Sequence, residues 1–181
     1  MTTFDPASFV STPAPGRDCG TCTLCCKVFD VPVLEKKAGE WCRHCMPGKG
    51  CGIHETRPDH CRAFHCFWML APFLGEEWKP EKAKFVITID PVSQFMLVQV
   101  DPAQPTAWKR APYYAQLKRW SMANIQRGRQ VVVFVNRNAT VILPDKDVAL
   151  GEMTADDRIF ITKRAVLGGF ELNAEKRKAT A

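Results

Sequence analysis

Apolar and polar residues alternate along this chain in two distinct periods. The runs Lys84-Phe85-Val86-Ile87-Thr88-Ile89 and Phe95-Met96-Leu97-Val98-Gln99-Val100 flank the polar stretch 90–94. Two β-prone runs around five turn-forming residues predict an antiparallel hairpin. After Pro112 the period lengthens: Tyr113, Leu117 and Trp120 recur at i, i+4 and i+7, one face of a helix. That helix is predicted over 112–127, with Gly128 ending it. A second hairpin follows, from 130–135 through a turn at Asn136-Arg137-Asn138 to 140–143, and a short strand is expected at 158–162. Upstream, 58–70 predicts another helix. Pro58 suits the first helical position and Asp59 the first turn, and apolar residues continue to Pro72.

Together these elements predict an α+β fold: a small cysteine-rich, metal-bound module packed on a domain of β-hairpins and one or two helices. Residues 1–18, rich in Pro, Ser and Thr, form an irregular lead-in. Residues 19–70 form the module, 71–174 the α+β domain, and the charged, small-residue tail 175–181 is expected to fray. Frequent Gly and Pro leave 19–66 little apolar surface to bury, so that segment needs a staple.

Cysteine placement identifies the staple. All nine cysteines and all four histidines of the 181 residues fall between Cys19 and Cys66. Thiolate and imidazole are the protein ligands of soft and borderline metals. An odd number of cysteines rules out complete pairing within one chain. Residues 1–18 lack the basic and apolar regions of a secretory signal. The most apolar stretch, 64–74, is interrupted by His65 and Pro72 and too short to span a bilayer. The expectation is a cytoplasmic protein with reduced thiols and no membrane partner, in which clustered cysteines serve metal or redox chemistry.

Spacing narrows the ligand set. Cys19-x2-Cys22-x2-Cys25-Cys26 opens with a C-x2-C knuckle, which lets two thiolates turn toward one ion. It matches the first three cysteines of a bacterial ferredoxin run and then departs from it, because the fourth follows at once. Cys42-Arg43-His44-Cys45 is a second knuckle. On an unbroken helix Cys61 and Cys66 lie about 140° apart and do not face one ion, whereas Cys61 and His65 share a face.

These residues resemble the YkgJ-type cysteine-cluster family, the CxxCxxCC or zinc- or iron-chelating family. The resemblance is carried by Cys19-x2-Cys22-x2-Cys25-Cys26, by Cys42, and by Cys51-x-Ile53-His54-Glu55-x-Arg57-Pro58-x2-Cys61-Arg62-x-Phe64-x-Cys66. It covers about a quarter of the chain. It implies metal chelation by Cys19, Cys22, Cys25, Cys26, Cys42, Cys51, Cys61 and Cys66. Two departures stand out: His54 replaces a common Tyr, and Cys45 is an addition. Cys45, His44, His54 and His65 complete the candidate ligands. Related sequences include the cysteine-rich part of FliB-type flagellin lysine N-methylases, and this chain is shorter than a full enzyme of that kind.

Eight cysteines can form two four-thiolate zinc sites, or one four-cysteine iron–sulfur cluster with thiolates left for zinc. A copper(I) thiolate cluster is a third option. Arg57 and Arg62 are candidates to offset thiolate charge from outside the ligand sphere, with Glu55 and Asp59 as their alternative partners.

The net charge of +6 concentrates in 105–144, which carries +7 and no acidic residue. An anionic partner is expected there. Trp108, Tyr113, Tyr114 and Trp120 interleave with Lys and Arg, the composition of a single-strand binder. The same aromatics at helical spacing also describe a packed core. No Walker loop, dinucleotide fingerprint or HExxH pattern occurs, and no catalytic residue is assigned. The functional expectation is a metal-binding protein holding zinc or iron. The alternatives are an iron–sulfur protein of redox or protein-modification chemistry and a nucleic-acid-binding zinc protein.

Overall fold

The computed structural model describes residues 12–167 and 169–179. In chain order its elements are helix α1 (Cys25–Val28), strands β1 (Cys45–Met46) and β2 (Gly50–Cys51), and helices α2 (Asp59–Ala63), α3 (Phe67–Leu70) and α4 (Pro80–Ala83). Strands β3 (Phe85–Ile89) and β4 (Met96–Val100) lead to helix α5 (Tyr113–Asn124). Strands β5 (Val131–Val135), β6 (Asn138–Ile142), β7 (Asp147–Glu152), β8 (Asp157–Val166) and β9 (Gly169–Lys178) follow. The fold is α+β.

Strands β3 to β7 lie side by side in sequence order. β3 and β4 form the expected hairpin, with Phe85 opposite Val100. The chain then crosses through α5 and returns parallel, so that Met96 pairs with Val131. Three successive buried valines, Val131, Val132 and Val133, suit this central strand, which is covered on both faces. β5 and β6 are joined across Asn136 and Arg137, and Asn136 has φ of 53°. Asn tolerates that conformation in two-residue hairpin turns.

Each sheet face carries its own core. On one side Phe85, Val98, Val131, Val133 and Ile142 pack with Leu117 and Trp120 of α5 and with Phe67 of α3. The rings of Trp78, Phe85, Tyr113 and Trp120 touch there, Phe85 and Tyr113 at 5.0 Å and near 88°. On the other side Val132, Val141 and Leu143 meet Ile159, Ile161, Leu172 and Ala174 of the β8–β9 ribbon.

The sequence expectation needs correction in four places. The helix over 58–70 is two helices, because Phe64 (ψ 122°) and Cys66 (ψ 158°) are extended. Pro58 precedes the first of them as its cap. β7 was not expected at all. The short strand at 158–162 is half of a ten-residue ribbon, and residues 175–178, expected to fray, are the end of β9, with Lys178 opposite Asp157. Leu172 and Ala174 supply the buried side of β9, and the surrounding charges hide that period. Residues 180–181 lie outside the described residues, as do 1–11 of the lead-in. Residues 12–18 carry neither helix nor strand.

No break in packing falls at residue 70. Leu24, Val28, Cys66, Phe67, Trp68 and Met69 belong to the same buried cluster as the sheet. Burial of these side chains holds the cysteine-bearing loops against β3, independently of any ion.

Candidate metal centre

The loops that carry the cysteines are shaped by main-chain hydrogen bonds. Cys22 N–H donates to Cys19 O at 2.8 Å and Cys45 N–H to Cys42 O at 2.9 Å, closing both C-x2-C turns. Cys42 N–H donates to Cys26 O at 3.0 Å, tying the second knuckle to α1. Cys45 stands opposite Cys51 across the β1–β2 pair, which places the two on one face. Ahead of Cys19, Arg17 donates to the carbonyls of Ala71 (2.8 Å) and Pro72 (3.1 Å), and also to those of Trp68 and Leu74. Its guanidinium lies 4.6 Å from the centre of the Trp68 ring. This clamp fixes the chain entering Cys19 against the end of α3.

Two sets of thiols result. Cys19, Cys22, Cys25 and Cys66 line a cavity of about 20 Å³, together with Met69 and Phe64. That is room for a single water-sized body. The Cys19 thiol donates to the Met69 thioether at 3.6 Å. Burial pushes the Cys66 thiol up to about 11, with the Cys22 and Cys19 charges adding to the effect. Cys19 and Cys22 are raised too, chiefly by burial.

The second set is Cys26, Cys42, Cys45, Cys51 and Cys61. Cys26 is raised first by its hydrogen bond to Cys25 and then by burial. Burial pushes Cys45 up to about 11, and the neighbouring Cys26 charge adds to this. Cys61 is raised by burial and by the charges of Cys26, Cys42 and Cys51. The break between α2 and α3 separates Cys61 from Cys66 and sends them to different sets. The adjacent pair Cys25–Cys26 is where the sets meet. Thr23 and Cys26 both bear on the Cys45 thiol, the first opposing its rise and the second adding to it.

All nine cysteines are unbridged. Crowded thiols that raise one another are a donor set whose repulsion a cation would relieve, since a coordinating cation deprotonates its thiols. Their side chains do not converge at coordinating distance, however. Among the described residues no group of three or more His, Cys, Asp or Glu side chains is placed to hold a metal ion. As arranged, the donors fit zinc or iron in kind but not in position.

Arg57 lies close enough to Cys19 and Cys61, one thiol of each set, to oppose the rise of both. Its guanidinium also donates to the His54 carbonyl. Arg62 instead donates to the Glu55 and Arg57 carbonyls at 3.4 and 3.3 Å and pairs loosely with Asp59 at 3.9 Å. Arg43 Nε donates to His44 Nε2 at 3.2 Å, which occupies that ring nitrogen. His54 and His60 are exposed and His65 is half-buried.

Sequence reasoning missed three neighbours. Lys36 is buried, and its ammonium donates to the carbonyls of Lys27 (2.7 Å) and Phe29. Burial lowers its pKa, while the Cys26 and Cys42 charges act the other way. Nothing in the sequence marks this lysine. Met69 follows Cys66 by one helical turn, a spacing legible in the sequence. Thr23 is buried beside the second set and accepts from Gly48 N–H at 3.3 Å.

The basic segment is arranged differently from a stacking platform. Trp108, Tyr113 and Trp120 are buried. The Tyr114 hydroxyl lies 3.1 Å from Asp147 Oδ2, and Lys118 pairs with Asp147 at 2.8 Å. Those aromatics serve the core, and what the segment offers an anionic partner is charge alone. Among the described residues no helix is long and apolar enough to cross a membrane. No protein-family model, characterised protein or solved structure matches the chain.

Proposed function

We propose that this protein chelates zinc or iron through its clustered cysteines, in the reducing environment of the cytoplasm. The observation that carries the reading is the division of the nine thiols into two neighbouring sets, four around one small cavity and five among the adjoining loops. Thiols kept for packing alone are scattered, apolar and indifferent to one another. Here the folding of two knuckles, one strand pair and one broken helix brings them together. Coordination then requires side-chain rotation of the thiols about an existing frame, with loss of their protons. Zinc in a closed four-sulfur site would brace the loops, and an iron–sulfur cluster would add redox capacity.

The test is elemental analysis and a visible spectrum on full-length protein purified without oxygen. A colourless protein carrying zinc supports structural or stored zinc. A brown protein with sulfur-to-iron charge-transfer absorption supports an iron–sulfur cluster. Reduced protein that carries no zinc, iron or copper, and takes up none when offered, refutes the reading.

A further inference from the structure

The cavity set differs from the loop set in one donor. Met69 is buried, stands one turn after Cys66, and its thioether sulfur lies 3.6 Å from the Cys19 thiol. Two sulfur ligands about 2.3 Å from one tetrahedral ion stand about 3.8 Å apart. The Cys19–Met69 pair thus already has the separation of two ligands of one ion. A thioether carries no charge and is a poor ligand for zinc, whereas thiolate and thioether together select copper(I). The surroundings agree: Cys66, Trp68 and Val86, all buried, help enclose the cavity, and its charged lining residues, Asp18 and Lys79, carry opposite signs. An apolar wall disfavours the double negative charge of a dication held by four thiolates. A monovalent ion on two thiolates and a thioether leaves only one.

From this we infer that the cavity is a copper(I) site in which Met69 is a ligand beside Cys19 and Cys66. The inference rests on the metal-chelating reading above. Cys19 is exposed, so the ion can enter and leave by exchange at that thiol while the other ligands stay covered. Each thiol that binds releases its proton to solvent, and the ion keeps its oxidation state.

The test uses the reduced, metal-free full chain under nitrogen. Copper(I) is titrated against a colorimetric copper(I) chelator, and zinc is titrated separately against a zinc-sensitive dye. Wild type is compared with Met69→Leu, Cys19→Ser and, as a thioether control, the exposed Met46→Leu. Leu conserves the volume of Met. Met69→Leu is expected to weaken copper(I) binding on the order of 10-fold or more and to leave zinc uptake unchanged. Cys19→Ser is expected to weaken copper(I) binding as well, and Met46→Leu to have wild-type affinity. Wild-type copper(I) affinity in Met69→Leu overturns the inference, as does an equal loss of copper and zinc binding. If Met69→Leu does not fold, Cys19→Ser decides, and unchanged copper affinity there is fatal. Wild-type protein that binds zinc but not copper(I) overturns this inference alone. Uptake of neither metal overturns the chelating reading with it.

Discussion

Phe67→Ala tests whether the cysteine segment and the sheet are one cooperative unit. Phe67 is 1 % exposed, directly follows Cys66, and packs in the cluster that contains the sheet and α5. Its ring meets Trp120 at 6.0 Å and 87°, and Phe73 at 6.2 Å and 73°. Truncating a fully buried Phe costs about 3–5 kcal/mol, because transfer free energy is lost and a cavity remains. The edge-to-face pairs account for about 0.5–1.5 kcal/mol of such a loss apiece. At about 2–4 °C per kcal/mol for a chain of this size, the melting midpoint falls by roughly 6–20 °C. The assay is thermal unfolding of metal-free protein, followed by near-ultraviolet circular dichroism and tryptophan fluorescence. Leu117→Ala in α5, fully buried in the same cluster, provides the comparison. Both variants are expected to shift one common transition. If Phe67→Ala leaves the main transition in place and melts only a minor one, the shared core is refuted, and the cysteine segment is a separate unit that merely leans on the sheet.

Lys36→Met removes the ammonium from two part-buried carbonyls and is expected to cost about 1–3 kcal/mol, read as a lower urea midpoint; an unchanged midpoint would show that water replaces the ammonium freely. Cys61→Ser is expected to reduce bound metal, and Cys45→Ser to do so as well, because Cys45 stands against Cys26 and opposite Cys51; full metal content in Cys45→Ser would restore it to the status of an addition. Asp157 is held at about 2, below its ordinary 3.8, first by the Thr154 N–H and then by Lys178. The folded state therefore favours its ionised form, and the resulting stability is complete above pH 3.8 and is lost as pH falls through about 2. Amide exchange across β8 and β9 is expected to accelerate in that window in wild type and not in Asp157→Asn; identical profiles would remove Asp157 as the pin.

Much of the fold was legible because its signals are local. Val131 to Val133, the 3.6-residue period of Tyr113, Leu117 and Trp120, and the Asn136 turn each declare their element within a few residues. β7 and β9 were hidden because their pairing depends on partners elsewhere and their exposed faces carry most of their charge. The helix over 58–70 has good helical composition throughout, and its break follows from tertiary packing, which seats Phe67 in the main core and Phe64 at its edge. Phe64 meets Phe29 at 5.1 Å and 60° on the margin of the cluster that Phe67 enters.

For the site, sequence alone determined the chemistry: nine thiols in one short stretch, spaced in knuckles that favour turning toward a common point. Which thiol neighbours which was decided only by the tertiary structure. Cys66 is brought to Cys19 across 47 positions by burial of α3, and Cys61 is left beside Cys26 and Cys42 by the bend that follows it. Lys36 and Met69 join for the same reason. A donor's identity is written in one residue, whereas its company depends on long-range packing that no local spacing encodes.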